Sequence, residues 1–244
     1  MRSLRRGLLL KSEKGKLWVL LVVGLLIPPL LLVVNYRLSG PGMRLVHWFA
    51  ELSLTHPGAG EVGVILANYS FMVTAELVLL ATALCAIRKY LPSVHPTMSS
   101  GQLVRTGIQI GIPYGLTLYF IYWWIGEPNY GTYSGLTGTP SPLGIPLSAL
   151  ILVNAAVCEE VYFRGLLFKL GVRIMRPVTS GTICIVAFVI WHPQLYLNGH
   201  IPRLVGLISG GVLYTVLTHR TRSIVPAAWA HTCFNTTQIV LANI

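Results

Sequence analysis

Charge is what this 244-residue chain has least of: 10% of its residues are charged and 54% are hydrophobic, against roughly 25% charged in an ordinary soluble domain. That balance argues against a soluble fold. Aspartate is absent altogether, all seven acidic residues being Glu, so a mechanism built on paired aspartates, as in presenilin-like proteases, is excluded. No H-E-x-x-H occurs, so the usual zinc-protease helix is missing, and so is the G-x-S-G pattern of rhomboid-type serine proteases. The four cysteines, Cys85, Cys158, Cys184 and Cys233, sit in apolar runs without C-x-x-C spacing. They suggest neither a disulfide framework nor a zinc knuckle and read as small buried hydrophobes.

What is there is apolar length. The mean hydropathy is +0.67, and the apolar residues fall in runs of about 15 to 25, enough to cross a hydrocarbon layer roughly 30 Å thick. The runs are Leu17 to Val34, Val62 to Ile87, Leu103 to Ile125, Leu143 to Val157 with an amphipathic continuation to Ile174, Thr179 to about Leu197, Leu204 to Thr218, and Ile224 to Ala242. The expected fold is all-α, a polytopic transmembrane bundle of about seven to eight helices. The first run follows a basic tail and superficially resembles a secretory signal. It is longer than a signal core and lacks a small-residue cleavage site, so it reads as a retained span kinked by Pro28-Pro29.

The net charge of +11 is a topology signal and implies no nucleic-acid partner. With the N-terminus inside, the inner side holds 15 of the 18 basic residues and the outer side only Arg37, Arg44 and Arg203, the asymmetry a cytoplasmic N-terminus requires. The chain divides into a basic cytoplasmic tail (1–16), an N-terminal transmembrane scaffold (17–142) and a transmembrane catalytic core (143–244). The Gly- and Pro-rich stretch from Gly126 to Pro142 is an outer connector. Gly107, Gly111 and Gly115 read as a close helix-packing seam.

An ionisable group in hydrocarbon costs roughly 2.5 to 3.5 kcal/mol on translocon scales, so the few that remain need a reason. Glu76, Glu159 and Glu160 lie in or beside apolar segments, and of the seven histidines only His192 and His231 do so. Glu160 and Arg164 stand at i and i+4 with the acid first, a favourable ion-pair spacing. Glu159 is rotated about 100° away and need not share that cation. A half-buried carboxylate without a dedicated cation is suited to exchanging protons; a structural salt-bridge knot at a helix end is the plainer alternative. Phe188 and His192 are also i and i+4, with Pro193 next. His231 and Asn235 repeat the spacing, placing an imidazole and an amide on one face. Such a pair can donate to a developing oxyanion, or clamp two helices for about 0.6 kcal/mol. A lone intramembrane Glu such as Glu76 marks an ion pathway or pairs with a neighbouring helix.

The order E-E-x-x-x-R, F-x-x-x-H, H-x-x-x-N resembles the three-motif signature of the CAAX prenyl protease and bacteriocin-processing family of glutamate-type intramembrane proteases, also called the abortive-infection family. All three motifs are intact between Glu159 and Asn235. The resemblance implies peptide-bond hydrolysis in a cavity open to the cytoplasm. Glu159 and His192 would activate water, His231 and Asn235 would stabilise the oxyanion, and Glu160, Arg164 and Phe188 would support them. It implies no metal and no other cofactor. The partners implied are the lipid bilayer and a membrane-embedded or lipid-anchored peptide, either prenylated or a C-terminal sorting tail. The default location is a cell (inner) membrane, with the endoplasmic reticulum as its eukaryotic counterpart.

Two other readings stand beside it. A zinc peptidase could use Glu159, His192 and His231, although no histidine pair has local chelate spacing. A non-enzymatic membrane protein, such as an immunity factor, chaperone or transporter, would keep the three groups apart and separately satisfied. One step strains the layout: His192 lies about 13 residues, roughly 20 Å, into its segment, while Glu159 and His231 sit toward the cytoplasm. A tilted, short or re-entrant helix is needed to bring them level, and Pro193 favours a break there.

Overall fold

The computed structural model describes residues 13–34, 48, 51, 57–91, 95–127 and 144–242. The tail residues 1–12 and most of the connector expected from Gly126 to Pro142 lie outside them. Among the described residues the secondary structure is helical, with no strand. The helices are α1 (Glu13–Val34), α2 (Pro57–Tyr90), α3 (Ser100–Trp124), α4 (Gly144–Glu159), a π-helical segment (Glu160–Phe168), α5 (Lys169–Val172), α6 (Pro177–Ile190), α7 (Pro193–Leu197), α8 (Ile201–Thr221) and α9 (Val225–Ala242). This is the expected all-α bundle. Glu13–Val34, Pro146–Val172 and Ile201–Thr221 are long and apolar enough to cross a membrane. The protein is an integral membrane protein.

Two segments differ from the uniform α-helices the periodicity predicts. The run after α4 passes through nine residues of π-helix before α5. Its i→i+5 bonding widens the turn by one residue, a rare arrangement frequent at functional sites. The run from Thr179 to Leu197 is two helices, because α6 stops at Ile190 and His192 leaves the helical region at φ −112°, ψ 57°. Pro193 is the cause: its ring disfavours helical geometry in the preceding residue and suits the first turn of the next helix.

The π segment sits at the centre, with all nine of its residues buried. Leu17 and Leu21 of α1, Leu79 and Ala83 of α2, and Cys184 and Phe188 of α6 pack around it. The Tyr162 hydroxyl donates to the Gly24 carbonyl of α1, so the first span is part of the body of the protein. Its helix continues through Pro28 and Pro29.

The glycine seam of α3 determines where α9 lies. A Cβ on Gly107 would meet Trp229 Cβ at 2.5 Å and Pro226 O at 2.7 Å, and one on Gly111 would meet Ala230 O at 2.5 Å. Bare backbone lets α9 come this close, with dispersion and close packing in place of a hydrophobic drive. The start of α3 is held by a capping box in which Ser99 and Gln102 satisfy each other's backbone N–H groups. Of the cysteines, Cys158 and Cys184 are buried as expected and Cys233 is half-buried, but Cys85 is exposed on α2.

Candidate active site

The site begins with a charge that has no water. Arg164 and Glu160 are both 0% exposed, and Arg164 NH1 lies 2.9 Å from Glu160 Oε1. The i, i+4 pair read from the sequence forms, within the π segment. Arg164 NH2 also donates to the Gly211 carbonyl of α8 at 3.3 Å, and its guanidinium lies 4.3 Å over the Phe188 ring. An ion pair removed from water persists only with such additional partners.

His231 of α9 joins this pair. Its Nδ1 is 3.0 Å from the same Glu160 Oε1, and its ring stacks on Tyr214 at 4.8 Å, 18° from parallel. Glu160 Oε1, which accepts from Arg164, accepts here as well, so Nδ1 carries a proton and Nε2 faces the other acid. That acid is Glu159, the last residue of α4, whose Oε2 lies 3.9 Å from His231 Nε2. Its Oε1 lies 3.6 Å from His192 Nε2 and accepts a hydrogen bond from Trp191 Nε1 at 3.0 Å.

The break before Pro193 brings His192 to this level. Its Nδ1 is 2.9 Å from the Phe188 carbonyl. A carbonyl oxygen only accepts, so Nδ1 is protonated, and in the neutral ring Nε2 turns a lone pair toward Glu159. The separations of 3.6 and 3.9 Å are too long for direct hydrogen bonds and suit one bridging water. Glu159 is 4% exposed and His231 6%, so the polar groups meet in a nearly dry setting. Asn235, one turn beyond His231, donates from Nδ2 to the Leu152 carbonyl at 3.2 Å. That leaves the second N–H of its amide for another acceptor.

A cavity of about 270 Å³ opens on this cluster; Glu159, His192, His231 and Asn235 all line it, as does Glu76. A second cavity of about 110 Å³ is also lined by His192, His231 and Asn235. All four residues read as candidates therefore converge, and Glu160, Arg164 and Phe188 form the layer behind them. Among the described residues, no group of three or more His, Cys, Asp or Glu side chains is arranged to hold a metal ion. Glu76 takes the plainer of its two readings: it is 1% exposed and accepts from Asn154 of α4 at 3.0 Å.

Sequence reasoning passed over three residues of this site. Trp191 could have been noticed as an indole donor next to His192. Gln194 lines both cavities but sits in a five-residue helix with no periodicity to mark it. Tyr214 carries no sequence signal, since only the packing of α8 on α9 stacks it against His231.

Fold and site together define a class: a helical integral membrane protein with a buried acid, two imidazoles and an amide around one intramembrane cavity. Residues 141–237 match the family model of the type II CAAX prenyl endopeptidases, described as Rce1-like. The resemblance read from the three motifs is thus shown over the stretch that builds the site. It is a family of peptidases, and CAAX-type intramembrane endopeptidase activity is what the match points to. Neither the curated proteins nor the solved structures compared with the chain include a match.

Proposed function

We propose that the protein is an intramembrane endopeptidase that hydrolyses one peptide bond of a membrane-embedded or lipid-anchored substrate, such as a prenylated CAAX-type or sorting tail, by water activated at Glu159 and His192. The observation that carries this reading is the placement of Glu159 Oε1 3.6 Å from His192 Nε2 and Oε2 3.9 Å from His231 Nε2.

In this mechanism one water bridges Glu159 and His192, donating toward the carboxylate and toward the Nε2 lone pair. Its oxygen attacks the scissile carbonyl while Glu159 takes the proton. Trp191 holds the carboxylate in the attacking orientation. The tetrahedral oxyanion lies between His231 and the free N–H of Asn235; His231 donates from Nε2 as an imidazolium whose charge is balanced by Glu160 beyond Nδ1. Fixed donors in a dry site are worth several kcal/mol of transition-state stabilisation. When the C–N bond breaks, the proton held by Glu159 passes to the departing amine. Residues 143–244 are then the catalytic core and 17–142 its scaffold. The split of basic residues supports a cytoplasmic N-terminus, and a cell (inner) membrane is the location that goes with this reading.

The test compares membrane proteomes carrying wild-type protein, Glu159→Ala and Glu159→Gln for new C-termini. The expected result is loss of cleavage by about two to four orders of magnitude in both variants, with insertion and folding unchanged. Full cleavage by either variant overturns the mechanism.

A further inference from the structure

A second cavity system lies away from the candidate site. Between α5 and the C-terminal end of α8 is a cleft of about 330 Å³ lined by Leu91, Phe168, Lys169, Val172, Arg173, Thr218, His219 and Arg222. Its walls are apolar, its rim is cationic, and no acid lines it. Among the described residues Lys169, His219 and Arg222 take part in no ion pair. Arg173 is anchored through NH1 to the Tyr90 carbonyl at 2.7 Å, which holds its guanidinium at the rim. The buried Thr218 Oγ1 has no hydrogen-bond partner.

Cations at helix C-termini complement the macrodipole and favour the inner side of a membrane. That accounts for exposed Arg222 and His219. Lys169, in the last turn of α5, differs from them in being half-buried, in a cleft that no acid lines; partly desolvating a cation without a counter-ion costs free energy unless an anion is supplied. Depth narrows the choice of anion. Two candidate spans, Pro146–Val172 and Ile201–Thr221, end at this cleft, so it lies where helices leave the hydrocarbon and headgroups begin.

We propose that this cleft is a binding site for an anionic membrane lipid. The phosphate sits among Lys169, His219 and Arg222, and an acyl chain runs along Leu91, Phe168 and Val172. The inference is independent of the protease reading. The occupant holds α5, which follows the π segment bearing Glu160 and Arg164, against α8, which carries Tyr214.

The experiment is native mass spectrometry of the full chain released from detergent with dioleoylphosphatidylglycerol or dioleoylphosphatidylcholine. The wild-type protein is expected to retain the anionic phosphatidylglycerol in clear preference. Lys169→Gln with Arg222→Gln lowers that retention by about fivefold per charge removed, while Arg105→Gln, on an exposed position of α3, leaves it unchanged. Should the double variant fail to fold, exposed Arg222→Gln alone reads the same loss once. Equal retention of the two lipids, unchanged retention in a folded cleft variant, an equal loss in Arg105→Gln, or displacement of the lipid by millimolar inorganic phosphate overturns the proposal.

Discussion

His231 Nδ1 lies 3.0 Å from Glu160 Oε1, so the imidazole of α9 is oriented by the neighbour of Glu159 and not by Glu159 itself. The two adjacent carboxylates divide their work through the two nitrogens of one ring. Glu160, shared with Arg164, meets Nδ1 and orients the ring; Glu159 meets the nitrogen that faces the cavity. Contact of an orienting acid with one ring nitrogen is what usually aims the other at its task.

Removing that acid leaves Arg164 with no anion at zero exposure. Glu160→Ala is expected to destabilise the protein by about 3 to 5 kcal/mol, as for other buried pairs broken from one side. Thermal unfolding in detergent checks this. A melting temperature equal to that of the wild type would show that water reaches Arg164.

Trp191→Phe keeps the ring and deletes the Nε1–H that meets Glu159 Oε1. The expected outcome is a fall in kcat of about one to two orders of magnitude with little change in KM, since a hydrogen bond to a charged group is worth about 1.5 to 3 kcal/mol. Steady-state cleavage of a fluorogenic lipidated peptide measures it. A change confined to KM would make Trp191 a substrate contact.

Asn235→Ala removes the amide from the proposed oxyanion position. A loss of about two to three orders of magnitude in kcat is expected. The same variant also frees the Leu152 carbonyl, so unfolding is measured alongside; a stability loss without a kinetic one would reduce Asn235 to a clamp between α9 and α4.

Gly111→Ala places a methyl 2.5 Å from the Ala230 carbonyl and 2.6 Å from its Cα, one residue before His231. Overpacking of this kind costs about 1 to 3 kcal/mol, and the displaced α9 carries His231 with it. Cleavage should fall more than stability. Gly101→Ala, with open space around the added carbon, is the control and leaves both unchanged.

The short-range content of the site was legible in the residues. A helical turn brings i and i+4 near one another, so the facing of Glu160 on Arg164 follows from spacing, while the contact of His192 with the Phe188 carbonyl also needs the break before Pro193. The glycines at 107, 111 and 115 mark one helix face and so foretold a close neighbour. The poverty of charge dictated a membrane, and the rule that buried polar backbone must be paired then dictated helices.

The long-range content was decided by packing. Nothing in the spacing of Glu159, His192 and His231 determines that three helices meet with these groups a water's width apart; that depends on how near α9 comes to α3 and on where α6 breaks. Local periodicity reports which side chains share a face. The depth and register of one helix against another, the stacking of Tyr214 on His231, and the widened turn that buries Glu160 are settled by the summed contacts of the whole bundle, because each helix is positioned by neighbours distant in the chain.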